Sequence, residues 1–146
     1  MGHYLSIGIG LSIGALVVVQ GAMNGTLVGF VGGSLPAALC NFLVGVLVLV
    51  AASLVTGTIG GMQGIVTAPK WSLLGGVAGA LLVMGTAYLI PRIGTAHTVA
   101  LIMCGQVCVS MVIDHFGLLG VPIIAISPQR IVGCVLLALG AYVVGR

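Results

Sequence analysis

The side chains able to do chemistry are few, and they are mostly uncharged. Gln20, Asn24, Asn41, Thr86, Thr95, Thr98, Gln106 and Ser110 carry amides or hydroxyls, and Asp114 is the only carboxylate side chain. One acid cannot form the carboxylate pair that general acid–base chemistry often uses. No Ser or Cys stands in a recognisable Ser/Cys, His and acid set for nucleophilic attack. No Walker A segment cradles a nucleotide phosphate. The cysteines Cys40, Cys104, Cys108 and Cys134 form no CxxC, no HxxxH joins them, and they read as small apolar packing. The chain is therefore read as a non-enzyme without cofactor or metal. What amides do well is hold a neutral polar group through paired donors and acceptors.

The elements that must carry these groups follow from composition. Of 146 residues, Lys70, Arg92, Arg130, Arg146 and Asp114 are the charged ones, 3% of the chain. An ordinary soluble domain has about 25%. Hydrophobic residues make up 60%, and Gly fills 25 further positions. Such a chain cannot cover a water-facing surface. A soluble enzyme and a disordered tail are excluded. With the cations isolated, so is a nucleic-acid binder. The reading is an all-α integral membrane protein, because runs such as 43–52 and 131–138 are continuously apolar rather than alternating.

Five spans are expected within one transmembrane domain, 1–146: about 4–26, 35–55, 71–90, 95–113 and 128–144. Each has roughly 17 to 25 residues, enough for a hydrocarbon core of about 30 Å. Ser34 is expected to cap the second span, with Pro36 in its first turn, and Pro91 to stop the third. The stretch 116–127 is apolar but short and interrupted by Pro122, so it reads as a re-entrant or surface-lying connector. Tyr4, Trp71, Tyr88 and Tyr142 all fall at expected span ends, where amphipathic rings prefer the headgroup level.

On these spans the polar groups line up. At 100° per residue, Thr95, Gln106, Ser110 and Asp114 fall within an arc of about 100° on the fourth helix. Gln20 and Asn24 stand one turn apart on the first. Two readings are open: helix–helix glue contributing about 0.6 kcal/mol per pair, or the lining of a central polar cavity. Under the second, Gln20, Asn24, Asn41, Gln106 and Ser110 are the candidate substrate-binding residues. Asp114 opposes the dipole at its helix end and needs a cation, and Arg130 is on the same side. An ion pair and a proton-coupling role are both open for the two. Gly133 and Gly140, seven apart on the fifth helix, form a candidate dimer seam.

Five spans put Lys70 and Arg130 on one side of the membrane and Arg92 and Arg146 on the other, two against two. Orientation normally follows an excess of Lys and Arg on the cytoplasmic side. Without one, copies can insert both ways and pair antiparallel about a two-fold axis in the membrane plane.

An ordered series of segments adds a resemblance. Gln20-Gly21-Ala22-Met23-Asn24, Gly33-Ser34 with Asn41-Phe42, Trp71 with Gly75-Gly76, and Pro91-Arg92-Ile93-Gly94-Thr95-Ala96 are followed by Gly105-Gln106 and Asp114-His115-Phe116-Gly117, then Arg130, Gly133 and Gly140. Together they resemble the YdcZ family, a branch of the drug/metabolite transporter superfamily, over essentially the whole chain. The resemblance implies a five-helix unit, half of a ten-helix transporter, working as an exporter in the bacterial inner membrane. It names no substrate. The four-helix small multidrug exporters, similar in plan, carry a glutamate in their first helix, where this chain has Gln20 and no acid.

The expectation is a transporter of a small polar or amphipathic solute, working by alternating access as an antiparallel homodimer in the lipid bilayer, with no nucleic-acid partner. A passive pore and a structural subunit of a larger complex are the alternatives.

Overall fold

The computed structural model describes residues 2–146. Five α-helices follow one another: α1 Gly2–Val31, α2 Ser34–Val55, α3 Leu74–Ile93, α4 Thr95–Phe116 and α5 Pro128–Val144. Short 3₁₀ segments occupy Ile59–Val66, Lys70–Leu73 and Leu118–Gly120, and no strand occurs among the described residues. Four stretches are long and apolar enough to cross a membrane: Gly2–Val31, Ser34–Val55, Lys70–Ile93 and Thr95–Phe116. Helix α5 is apolar but shorter, at 17 residues. Every fully buried position is small: Gly21, Asn24, Ala37, Ala38, Ala87, Thr98 and Ala141. Large apolar side chains face outward, as lipid-facing residues do, and small ones let helix backbones approach. The chain divides into two compact units, residues 1–91 and 92–146.

In the first unit, α1 and α2 follow one another closely and pack against each other. Gly32 takes φ +80°, a left-handed conformation that costs glycine little, so the chain reverses within two residues. The reversal also shifts the cap. Gly33, not Ser34, is the N-cap of α2, and it makes no side-chain cap bond. Its carbonyl accepts from the Ala37 N–H at 3.2 Å, leaving Ser34 already inside the helix. Ala37 and Ala38 are buried just beyond it.

Helix α3 departs from expectation at its end. It runs through Pro91 to Ile93 instead of stopping before the proline. A proline loses one backbone bond, and within the last turn little helix remains to be disturbed. The actual terminator is Gly94, at φ +80°. Near this end, Gly21 and Gly25 of α1 face α3, where an added Cβ at Gly21 would stand 2.8 Å from Ile90 Cδ1. Two glycines one turn apart thus make room for the Ile90–Pro91 step.

In the second unit, α4 and α5 pack side by side and the connector folds onto their shared end. Helix α4 runs three residues past 113 to Phe116 and is closed by Gly117 at φ +61°. A side chain at Gly117 would collide with Ile123. After the turn at 118–120 the chain carries no regular secondary structure to residue 127. Backbone groups without helical partners need others near a membrane. Here the Ile124 N–H donates to the Asp114 carbonyl at 2.9 Å and the Ile126 N–H to His115 Nδ1 at 3.3 Å. Helix α5 then starts with Ser127 as N-cap, its hydroxyl accepting from the Arg130 N–H at 3.4 Å, and Pro128 in the first turn.

Candidate functional site

Among the described residues of the first unit, Asn24 is a buried polar side chain that its own fold does not satisfy. Asn24 is 1% exposed, and neither its amide nitrogen nor its amide oxygen has a hydrogen-bond partner. A buried polar group left unpaired costs about 1–3 kcal/mol. Gln20, one turn earlier on α1, is exposed. Asn41 on α2 is half-buried, and its amide donates back to the Ala37 carbonyl at 3.0 Å, so part of its capacity is used within its own helix. Thr86 on α3 behaves likewise, donating to the Val83 carbonyl at 2.9 Å.

The second unit sorts its polar groups by face. Leu101 and Cys104, with His97 a turn earlier, line a groove against α5, and Cys108 meets Cys134 of α5 with 3.0 Å between the sulfurs. At 100° per residue, Thr95, Gln106 and Ser110 lie roughly 160–200° around α4 from that packed side. Gln106 and Ser110 are exposed. Ser110 donates to the Val107 carbonyl at 2.9 Å, whereas Gln106 presents its amide outward near mid-helix. Thr98 is fully buried but satisfied, donating to the Gly94 carbonyl at 2.7 Å.

Asp114 and Arg130 do meet, at 2.5 Å, with 24% and 31% of their side chains exposed. The Arg130 guanidinium also donates to the Ile124 carbonyl at 3.3 Å, clasping the connector between α4 and α5. Gly133 and Gly140 are exposed, and a Cβ at either would have open space around it. They lie roughly 130° around α5 from the side that packs on α4.

Two groupings are not apparent from the sequence reading. Cys108 pairs with Cys134 of the other helix, although its nearest thiol in sequence is Cys104. His97, Tyr142 and Arg146 gather at one end of the α4–α5 groove. The spacing of Tyr142 and Arg146, one turn apart on α5, was the available signal for the second.

Among the described residues no cluster of three or more His, Cys, Asp or Glu is placed to hold a metal ion. Residues 5–143 match the family model described as "Putative inner membrane exporter, YdcZ". The chain is 27% identical over 143 residues to "Inner membrane protein YdcZ" of Escherichia coli (strain K12), covering 97% of this chain and 91% of that protein. No solved structure matches.

Proposed function

We propose that this chain, which belongs to the YdcZ family of inner membrane exporters, moves a small polar or amphipathic solute by alternating access, as an antiparallel homodimer. Membrane transport and a multi-pass inner-membrane location come with the family. The rest is our reading. It takes α5 as a fifth span and each chain as half of a ten-helix transporter.

The observation that carries it is Asn24. Its amide lies buried with both ends unpaired, a configuration that is unfavourable by itself and is relieved by a hydrogen-bonding solute. Gln20 extends the same strip of α1, and Asn41, Gln106 and Ser110 supply further amide and hydroxyl groups. Outward-facing polar groups argue for a second copy. Gln106 and Ser110 face outward from the single chain, and an amide facing acyl chains needs a protein or water partner. The open faces of Gly133 and Gly140 offer a close-approach seam. The balance of Lys70 and Arg130 against Arg92 and Arg146 leaves both insertion directions available. The one acid on the amide face of α4, Asp114, is held by Arg130, which leaves uncharged groups to meet the solute and favours neutral solutes.

The test is a thermal-shift screen of small metabolites against the purified protein, followed by counterflow of a stabilising compound in proteoliposomes. Saturable counterflow that is lost in Asn24→Leu supports the reading. Single-channel currents without counterflow would replace it with a pore.

A further inference from the structure

One cavity in the second unit takes no part in the proposed transport path. It is a groove of about 560 Å³ between α4 and α5, at the end where α4 begins and α5 stops, within the range of roughly 300–1,000 Å³ found for ligand clefts. Its rim carries His97, Tyr142 and Arg146, and its floor Leu101, Ala138 and Ala141. The space exists because α5 is lined there with small residues. Gly145 lets the His97 ring lie against the helix, where any Cβ would overlap it. Gln106 and Ser110 are on the opposite side of α4, so the groove is separate from the amide face.

No acidic side chain lines this groove. The Arg146 guanidinium donates to the Tyr142 hydroxyl and lies 4.9 Å from the centre of its ring, both neutral contacts. The only acidic side chain in the sequence is Asp114, engaged by Arg130 near the far end of α4, about 26 Å along the helix from His97 at 1.5 Å per residue. An Arg, an imidazole and a phenol at a span end, above an apolar floor running toward the hydrocarbon, complement an anionic head on an acyl chain. Basic pockets between membrane helices bind phospholipid head groups by this chemistry.

We propose that the α4–α5 groove is a binding site for an anionic phospholipid, its phosphate on Arg146 and His97 and one acyl chain along Leu101, Ala138 and Ala141. Arg supplies a fork of N–H donors matched to phosphate oxygens, and the His97 ring adds an N–H donor. A phosphatidylcholine head brings its own ammonium group and gains less from Arg146. The site needs only the bilayer, so it stands whether or not the transport reading does.

The experiment uses the full chain in nanodiscs containing phosphatidylcholine and phosphatidylglycerol in equal amounts, with lipid retained on the protein counted by native mass spectrometry. The expected result is about fivefold enrichment of phosphatidylglycerol, the preference one Arg at an anionic surface provides. Arg146→Gln should bring the ratio near one. Ala138→Phe, which fills the floor and keeps the cation, should reduce retention of both lipids. Lys70→Gln, elsewhere in the chain, should change nothing. An unchanged ratio in Arg146→Gln, or unchanged retention of both lipids in Ala138→Phe, would overturn the proposal in favour of general surface attraction. So would an equal rise in melting temperature from inorganic phosphate in pure phosphatidylcholine discs, which would make the occupant a free anion.

Discussion

Arg130, in the first turn of α5, donates to Asp114, in the last turn of α4, across 2.5 Å, and with its other nitrogen holds the Ile124 carbonyl of the connector between them. The chain's single acid thus fastens the return of α5 to α4. Both groups keep a quarter to a third of their surface exposed, so the pair is neither a free surface contact nor a sealed one. Asp114→Asn and Arg130→Gln should each lower stability by about 1–2 kcal/mol, between the exposed and buried limits. The double variant should cost less than the sum of the two. Chemical denaturation of the four proteins in detergent measures this. If Asp114 instead couples protons to transport, Asp114→Asn will abolish the pH dependence of flux; with a structural pair that dependence is retained.

Asn24 is expected to trade stability against function. Leu branches as Asn does, is somewhat larger and has no polar atoms to leave unpaired, so Asn24→Leu should stay close to the native thermal stability while losing solute binding. A melting temperature several degrees below native would mean that the amide has a partner in the assembled protein, and that its role is to join helices.

Gln106→Leu separates glue from lining on α4. As a lining residue, its loss leaves a polar group of the solute unpaired, at a cost of about 1–3 kcal/mol, and saturable flux should fall roughly tenfold or more at normal abundance. Normal flux per folded molecule would put the cavity on another face.

The seam on α5 can be probed by bulk. Gly140→Leu should sharply reduce cross-linking between copies, because the side chain enters a face that glycine leaves open. Val132→Leu, an exposed position on a different side of α5, should leave cross-linking intact. Orientation is tested with the same protein. A C-terminal reporter pair should show both topologies, and two added Lys in one loop should bias them.

The contact between Cys108 and Cys134 makes a direct check on how α4 packs against α5. Their sulfurs are 3.0 Å apart, so mild oxidation with diamide should join them with little movement, consuming two thiols and lowering the mass by two hydrogens. Cys40, on α2, should stay reactive. Joining of Cys104 to Cys134 in place of this pair would shift the register of the two helices.

The sequence alone determined that this chain is helical and lives in a membrane. Five charged residues cannot cover a soluble surface, and uninterrupted apolar runs of span length have few other uses. It also located the polar positions and the nearness of Asp114 to Arg130, because those follow from local chemistry and from which helix ends share a side; the cap it placed at Ser34 falls instead at Gly33. Only the tertiary structure decided which face of each helix is inside. In water, a buried stripe announces itself by contrast with a polar face. In lipid both faces are apolar, so nothing in the pattern of Leu, Val and Ile distinguishes packing from solvent. Asn24 and Gln20 therefore look alike in sequence, yet one amide is buried and the other exposed. Cys108 finds Cys134 across the α4–α5 seam, and Gly145 opens the groove that brings His97 to Arg146, through approaches of backbone that only packing in three dimensions sets.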